Sequence, residues 1–149
     1  MISCKKRQAA ERMWKAVCQS MFEKCFGQPT RNQRKRRSVS MSGMKNISKA
    51  EVMVLKDQVA YQEGQVVSRT LAQNEHVSVT LFSFDKGEEI STHESGGDAF
   101  VTCLDGVGKV TIDGVEYILH EGDSIVMPAK HPHAVYGEEQ FKMLLVVIF

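Results

Sequence analysis

Histidine is the side chain whose charge changes near neutrality and the commonest ligand for transition metals, so the histidines open the chemical reading. Of five, three stand in glycine-bounded segments: His93, His131 and His133, with Cys103 and Lys130 in the same region. Imidazoles brought together can hold a divalent ion, move a proton or bind an anion. Cys103 reads as a small buried residue rather than a nucleophile, since free cysteine is usually interior. On a strand it could still line the same pocket. His131 lies two residues before His133 and would share its face of a strand, although Pro132 between them disturbs the alternation. His76 and His120 fall outside these segments and are expected at exposed strand ends.

The elements that must position these side chains repeat. One segment runs from Gly87 through His93 to Gly106, and the other from Gly122 through Pro128 and His133 to Gly137. Each delivers one histidine from the end of a short strand after a glycine turn. The connection between the two is short, so the two histidines can converge. They are expected to face each other across one cavity.

This arrangement resembles the cupin superfamily, in particular the small single-domain bacterial cupins of the type-2, RmlC-like kind. The first cupin motif reads G-x5-H-x-H-x3,4-E-x6-G. Gly87, His93 and Gly106 match it, with Ser95 at the second histidine position and Ala99 at the glutamate. The second motif reads G-x5-P-x-G-x2-H-x3-N. Gly122, Pro128 and His133 match, Lys130 stands for its glycine and Gly137 for its asparagine. The resemblance covers about residues 60 to 149 and implies an all-β fold, a double-stranded β-helix or jelly-roll barrel.

The resemblance also implies a site inside the barrel. Metal cupins hold one divalent ion, Fe, Mn, Ni or Zn, with three histidines and a carboxylate. Here two of those four positions lack a ligand. His93 and His133 therefore read either as hydrogen-bonded pocket residues without metal or as two ligands of a three-ligand site. The third ligand would be His131, or Asp98 if the strand bulges at Gly96-Gly97. Metal-free cupins related to sugar epimerases use a histidine base, but Tyr136, three residues after His133, would lie on the opposite face. Lys130 at the barrel mouth could attract a carboxylate or phosphate. Two functions stand open. One is a small-molecule-binding module with His93, His133 and Cys103 in its pocket. The other is a metal-dependent oxygenase or isomerase using His93, His133 and His131. The substrate is not legible, because one fold hosts many chemistries.

The chain divides by charge. Residues 1–43 hold eleven Lys/Arg against Glu11 and Glu23, a net +9, whereas residues 44–149 hold eight against sixteen Asp/Glu, a net −8. This split marks a basic extension, 1–43, and a cupin domain, 44–149. In the extension, Ala10, Met13, Trp14, Val17, Met21 and Cys25 form one helical stripe, followed by the basic run Arg31–Arg37. Composition favours a disordered appendage, and nucleic-acid contact is expected only through this basic run. Arg36-Arg37 encoded by AGG codons would resemble a ribosome-binding site, which places the expected native start at Met41 or Met44. Deleting 1–40 is expected to leave folding intact. No apolar run approaches the ~20 residues of a membrane span. Cys103 alone in the barrel cannot form an internal disulfide, so a reducing, cytoplasmic setting is expected.

From Glu51 onward the pattern is strand and turn. Asp113-Gly114 between alternating runs predicts a type I′ hairpin. Residues 141–149 read as a buried final strand. The alternation in 77–84 switches phase, which predicts either burial on both faces or a bulge. A homodimer is expected, through segments 52–55 and 65–71, because short barrels leave edge strands to cover.

Overall fold

The computed structural model describes residues 43–149. The stripe, the basic run, Met41 and three of the four cysteines lie outside the described residues. Seven strands follow one turn of 3-10 helix, Leu55–Gln58: β1 Val66–Gln73, β2 Val77–Phe84, β3 Glu89–His93, β4 Asp98–Ile112, β5 Val115–His120, β6 Ser124–Met127 and β7 His133–Ile148. All pairings are antiparallel. The all-β architecture expected from the sequence is present.

Two long strands organise the domain. β4 and β7 pair along almost their whole lengths, from Asp98↔Ile148 to Ile112↔His133. The first part of β4 also pairs with β6, and its last part with β5. The C-terminal half of β7 pairs with β2, and its N-terminal end with β3. Each long strand therefore serves two half-sheets. The change of partner falls at register shifts between Cys103 and Asp105 and between Gly106 and Gly108. Bulges bend a strand and increase its twist, so one long strand can turn the corner between half-sheets.

Gly106 is part of this corner rather than a loop turn. It lies within β4 with φ +74°. The Asp113-Gly114 expectation holds, since both residues have positive φ, 51° and 81°, as a type I′ turn requires.

Interior residues follow from the register. Phe84 lies opposite Phe141, Phe82 opposite Met143, and Cys103 opposite the same Met143. These five are buried, as are Val101, Val110 and Val135. The phase switch in 77–84 is burial on both faces. β2 pairs with β7 without a shift, and the bulge lies across the sheet in β1, between Thr70 and Ala72. The second face of β2 is covered by β1 and the segment before it: Leu81 packs with Leu71 and Val59, and Ser83 Oγ donates to the Ala60 carbonyl at 2.8 Å.

Lys142, also buried, secures this cover. Its ammonium donates to the Lys56 carbonyl at 2.7 Å and lies 4.5 Å from the Tyr61 ring centroid. Tyr61 in turn donates to Asp105 Oδ2 at 2.9 Å. Burial, then the Asp105 contact, pushes the Tyr61 phenol far above its ordinary value, so it stays a donor. Of the two segments named for pairing between copies, 65–71 is paired with β2 over 66–70, whereas Val52 and Val54 are exposed.

Candidate functional site

The site forms where β3 meets the start of β7. Ile90 lies opposite Val135, and His93 opposite His133. Three steps along β3 match two along β7, so one extra residue is inserted between Ile90 and His93. Strict alternation would put Ile90 and His93 on opposite faces. The bulge restores His93 to the side of Ile90, opposite a buried His133 that is 2% exposed. His133 opens a strand of sixteen residues rather than ending a short one, which differs from the expectation.

The two imidazoles are in contact, with ring centroids 4.5 Å apart in an edge-to-face arrangement. The expected convergence of His93 and His133 is therefore present. Each ring is held by the backbone two residues before it. His93 Nδ1 lies 2.8 Å from the Ser91 carbonyl, and His133 Nδ1 lies 2.8 Å from the His131 carbonyl. A carbonyl only accepts, so Nδ1 carries the proton on both rings and Nε2 carries the lone pair.

Burial favours the neutral form of both. It pushes His93 down to about 4 against its Ser91 bond, with His133 adding to the fall. His133 is also lowered, by burial first, opposed by its bond to the His131 carbonyl and by the charge of Glu94. Near neutral pH the pair is two uncharged imidazoles, each with an acceptor nitrogen. The neighbours fixed by register, Ile90, Val110, Ile112 and Val135, are apolar.

The other candidate residues lie elsewhere. His131 does not join the pair. Its Nδ1 is 2.6 Å from Asp113 Oδ2, and its side chain is half exposed. Pro132 explains this departure from alternation, since residues 131 and 132 precede β7 rather than extend it. Asp98 accepts the Ala129 N–H at 2.9 Å. Ser95 uses its hydroxyl to accept the Gly97 N–H and its carbonyl to accept the Lys130 N–H. Ala99, at the position of the family carboxylate, is buried between Met127 and Val147. Among the described residues, no group of three or more His, Cys, Asp or Glu is placed to hold a metal. The described residues thus do not by themselves make a three-ligand metal centre.

Cys103 is interior, as expected, but on the half of β4 that pairs with β6 and opposite Met143. Its thiol lies 3.6 Å from the carbonyls of Asp105 and Gly106. Burial raises it to about 11, which leaves a protonated, unreactive thiol. Tyr136 lies on the other face of β7 from His133, as expected, under the Lys109 ammonium. His76 and His120 are exposed beside Glu75 and Asp123. The sequence reading missed Asp113 as a neighbour of the site. Its Asp-Gly context signalled a turn and nothing more.

Lys130 stands where the family motif has glycine and adopts φ +64°. This left-handed conformation costs a non-glycine residue about 1–2 kcal/mol. Part of that gain is offset by the greater freedom of glycine in the unfolded chain, about 0.4–1 kcal/mol. Lys130→Gly should therefore raise the urea midpoint by the equivalent of roughly 0.5–1 kcal/mol. A lower midpoint would mean that the lysine side chain contributes more than its backbone strain.

Comparison with known proteins agrees with the fold. A family model described as Cupin domain matches residues 80–149. A cupin superfamily protein from Desulfitobacterium hafniense DCB-2 is 33% identical with a TM-score of 0.70, over 72% of this chain and 99% of that one. A conserved protein of unknown function from Streptococcus pyogenes is 49% identical with a TM-score of 0.71, over 73% of this chain and 96% of the other. The chain belongs to the cupin superfamily. A salicylate 1,2-dioxygenase from Pseudaminobacter salicylatoxidans shares the fold at 19% identity and a TM-score of 0.53, over 62% of this chain and 29% of that one. No curated protein matches the chain. Among the described residues, no helix is long and apolar enough to cross a membrane.

Proposed function

We propose that this cupin binds a small organic molecule through His93 and His133, used as two neutral hydrogen-bond acceptors beside the apolar side chains of Ile90, Ile112 and Val135. The observation that carries this reading is the pair of Nδ1 contacts to backbone carbonyls, 2.8 Å each. They commit both Nε2 atoms to accepting. The complementary ligand presents O–H or N–H donors on a compact apolar body, which Ile90, Ile112 and Val135 would accommodate. Such a ligand binds without any covalent step.

The same tautomers favour a second reading. Neutral imidazole with Nδ1–H bound to a carbonyl is the usual form of a metal-ligating histidine. A divalent ion such as Fe, Mn, Ni or Zn would need its remaining donors from the small molecule, because the described residues supply two imidazoles. That arrangement would suit an oxygenase or isomerase.

Elemental analysis of protein purified without chelator, beside a thermal-shift screen of small hydroxylated and amide compounds, separates the readings. Binding without stoichiometric metal is expected. Each lost acceptor should weaken affinity roughly tenfold, from about 1.4 kcal/mol per hydrogen bond, in His93→Ala and His133→Ala. One metal per chain, lost in both variants, would replace this proposal with the second reading.

A further inference from the structure

The proton on His133 is placed by a carbonyl, so whatever places that carbonyl controls which nitrogen the site presents. The His131 carbonyl belongs to the peptide joining His131 to Pro132. Proline has no N–H, so this peptide cannot anchor itself by donating a hydrogen bond. Its surroundings must hold it. Upstream, the Lys130 N–H binds the Ser95 carbonyl and the Ala129 N–H binds Asp98. The His131 N–H also donates to the Pro128 carbonyl at 3.3 Å, and downstream His133 enters the ladder opposite Ile112. The side-chain contact to His131 and the bond to the Pro132 carbonyl both come from Asp113. Asp113 Oδ2 lies 2.6 Å from His131 Nδ1, and the Asp113 N–H donates to the Pro132 carbonyl at 3.0 Å. These contacts fall on either side of the His131–Pro132 peptide.

Asp113 can reach both because of the turn it occupies. It is the first central residue of the β4–β5 hairpin, with φ 51°. Ile112, just before it, is the register partner of His133 on β7. The hairpin tip is therefore anchored directly beside the histidine whose acceptor it positions.

We propose that Asp113 is a positioning residue. By gripping His131 and Pro132 it aims the His131 carbonyl at His133 Nδ1, and so keeps the Nε2 lone pair of His133 available to the ligand. This rests on the ligand-binding reading of the His93–His133 pair for its function, but not for its geometry. Asp113 does not touch the ligand. His131, expected from the sequence to be a third metal ligand, is the intermediary.

The test reads the ring nitrogens of His133 by long-range nitrogen–proton NMR at about pH 8, where imidazoles are neutral. Asp113→Gly keeps the left-handed turn and removes the carboxylate. His131→Ala removes the contact from the other side, at a half-exposed side chain. Asp113→Asn retains both the turn preference and an acceptor oxygen. Wild type and Asp113→Asn should show the single Nδ1–H tautomer of His133. Asp113→Gly and His131→Ala should each show a second, Nε2–H set of signals. A His133 tautomer unchanged in folded His131→Ala and Asp113→Gly would overturn the proposal. Because no ligand is present, failure to find any bound small molecule would count against the functional reading and leave this result standing.

Discussion

Alanine in place of Gly106 is expected to destabilise the domain severely. Gly106 has φ +74° within β4, in the corner where the strand changes partners. A Cβ built there overlaps the Gln140 carbonyl oxygen and comes within 3.2 Å of the Phe141 Cα. Both obstacles are backbone, and β7 is held on its other side by β2 through Phe84↔Phe141. Neither strand can move aside without breaking a ladder. Steric overlap and the left-handed conformation together should cost about 3–5 kcal/mol. That is a large part of the roughly 5–15 kcal/mol by which domains are stable. Gly96→Ala is the control, since nothing lies within 4 Å of its Cβ position. It should change stability by about 0.5 kcal/mol or less. Urea denaturation of both variants checks this, and a wild-type midpoint for Gly106→Ala would count against the corner.

Acid should destabilise the protein earlier than carboxylate titration alone requires. His93 is held down to about 4 from an ordinary 6.5, and His133 is lowered in the same direction. Above the ordinary value both rings are neutral in the folded and unfolded chains, and stability does not change on their account. As pH falls below about 6.5, the unfolded chain takes up protons that the folded one refuses. Stability is then lost until the pH reaches the folded value, about 4 for His93. Allowing for partial solvent screening, the His93 contribution is about 2 kcal/mol over that window. Urea midpoints between those pH values measure the slope. The double variant His93→Gln/His133→Gln should flatten it. An equally steep slope in that variant would show that the pair is not the titrating unit. Ligand affinity should fall over the lower part of the same window, as protonation removes the Nε2 acceptors.

The short-range features of this protein were legible in its residues. Asp113-Gly114 declared its turn because positive φ at two successive positions is a local property that few residue pairs tolerate. The later part of the final strand was legible from its β-branched and aromatic run, but not its start at His133 nor the exposure of Ile148 and Phe149 at its end. The glycine and histidine spacings were enough to place the chain among the cupins and to pair His93 with His133.

Other features depended on which strands pair and in what register. The extra residue between Ile90 and His93 turns that histidine inward, and it is visible only against β7. Gly106 was legible as the closing glycine of the first motif but not as a corner within a strand, because the corner is defined by two partner sheets. His131 had the spacing of a ligand, yet Asp113, eighteen residues away, takes its ring. Ala99 became an apolar wall through Met127 and Val147. Dihedral preference and periodicity are encoded within a few residues. The face a side chain finally occupies is decided by long-range register and bulges, and these exist only once the two long strands have paired.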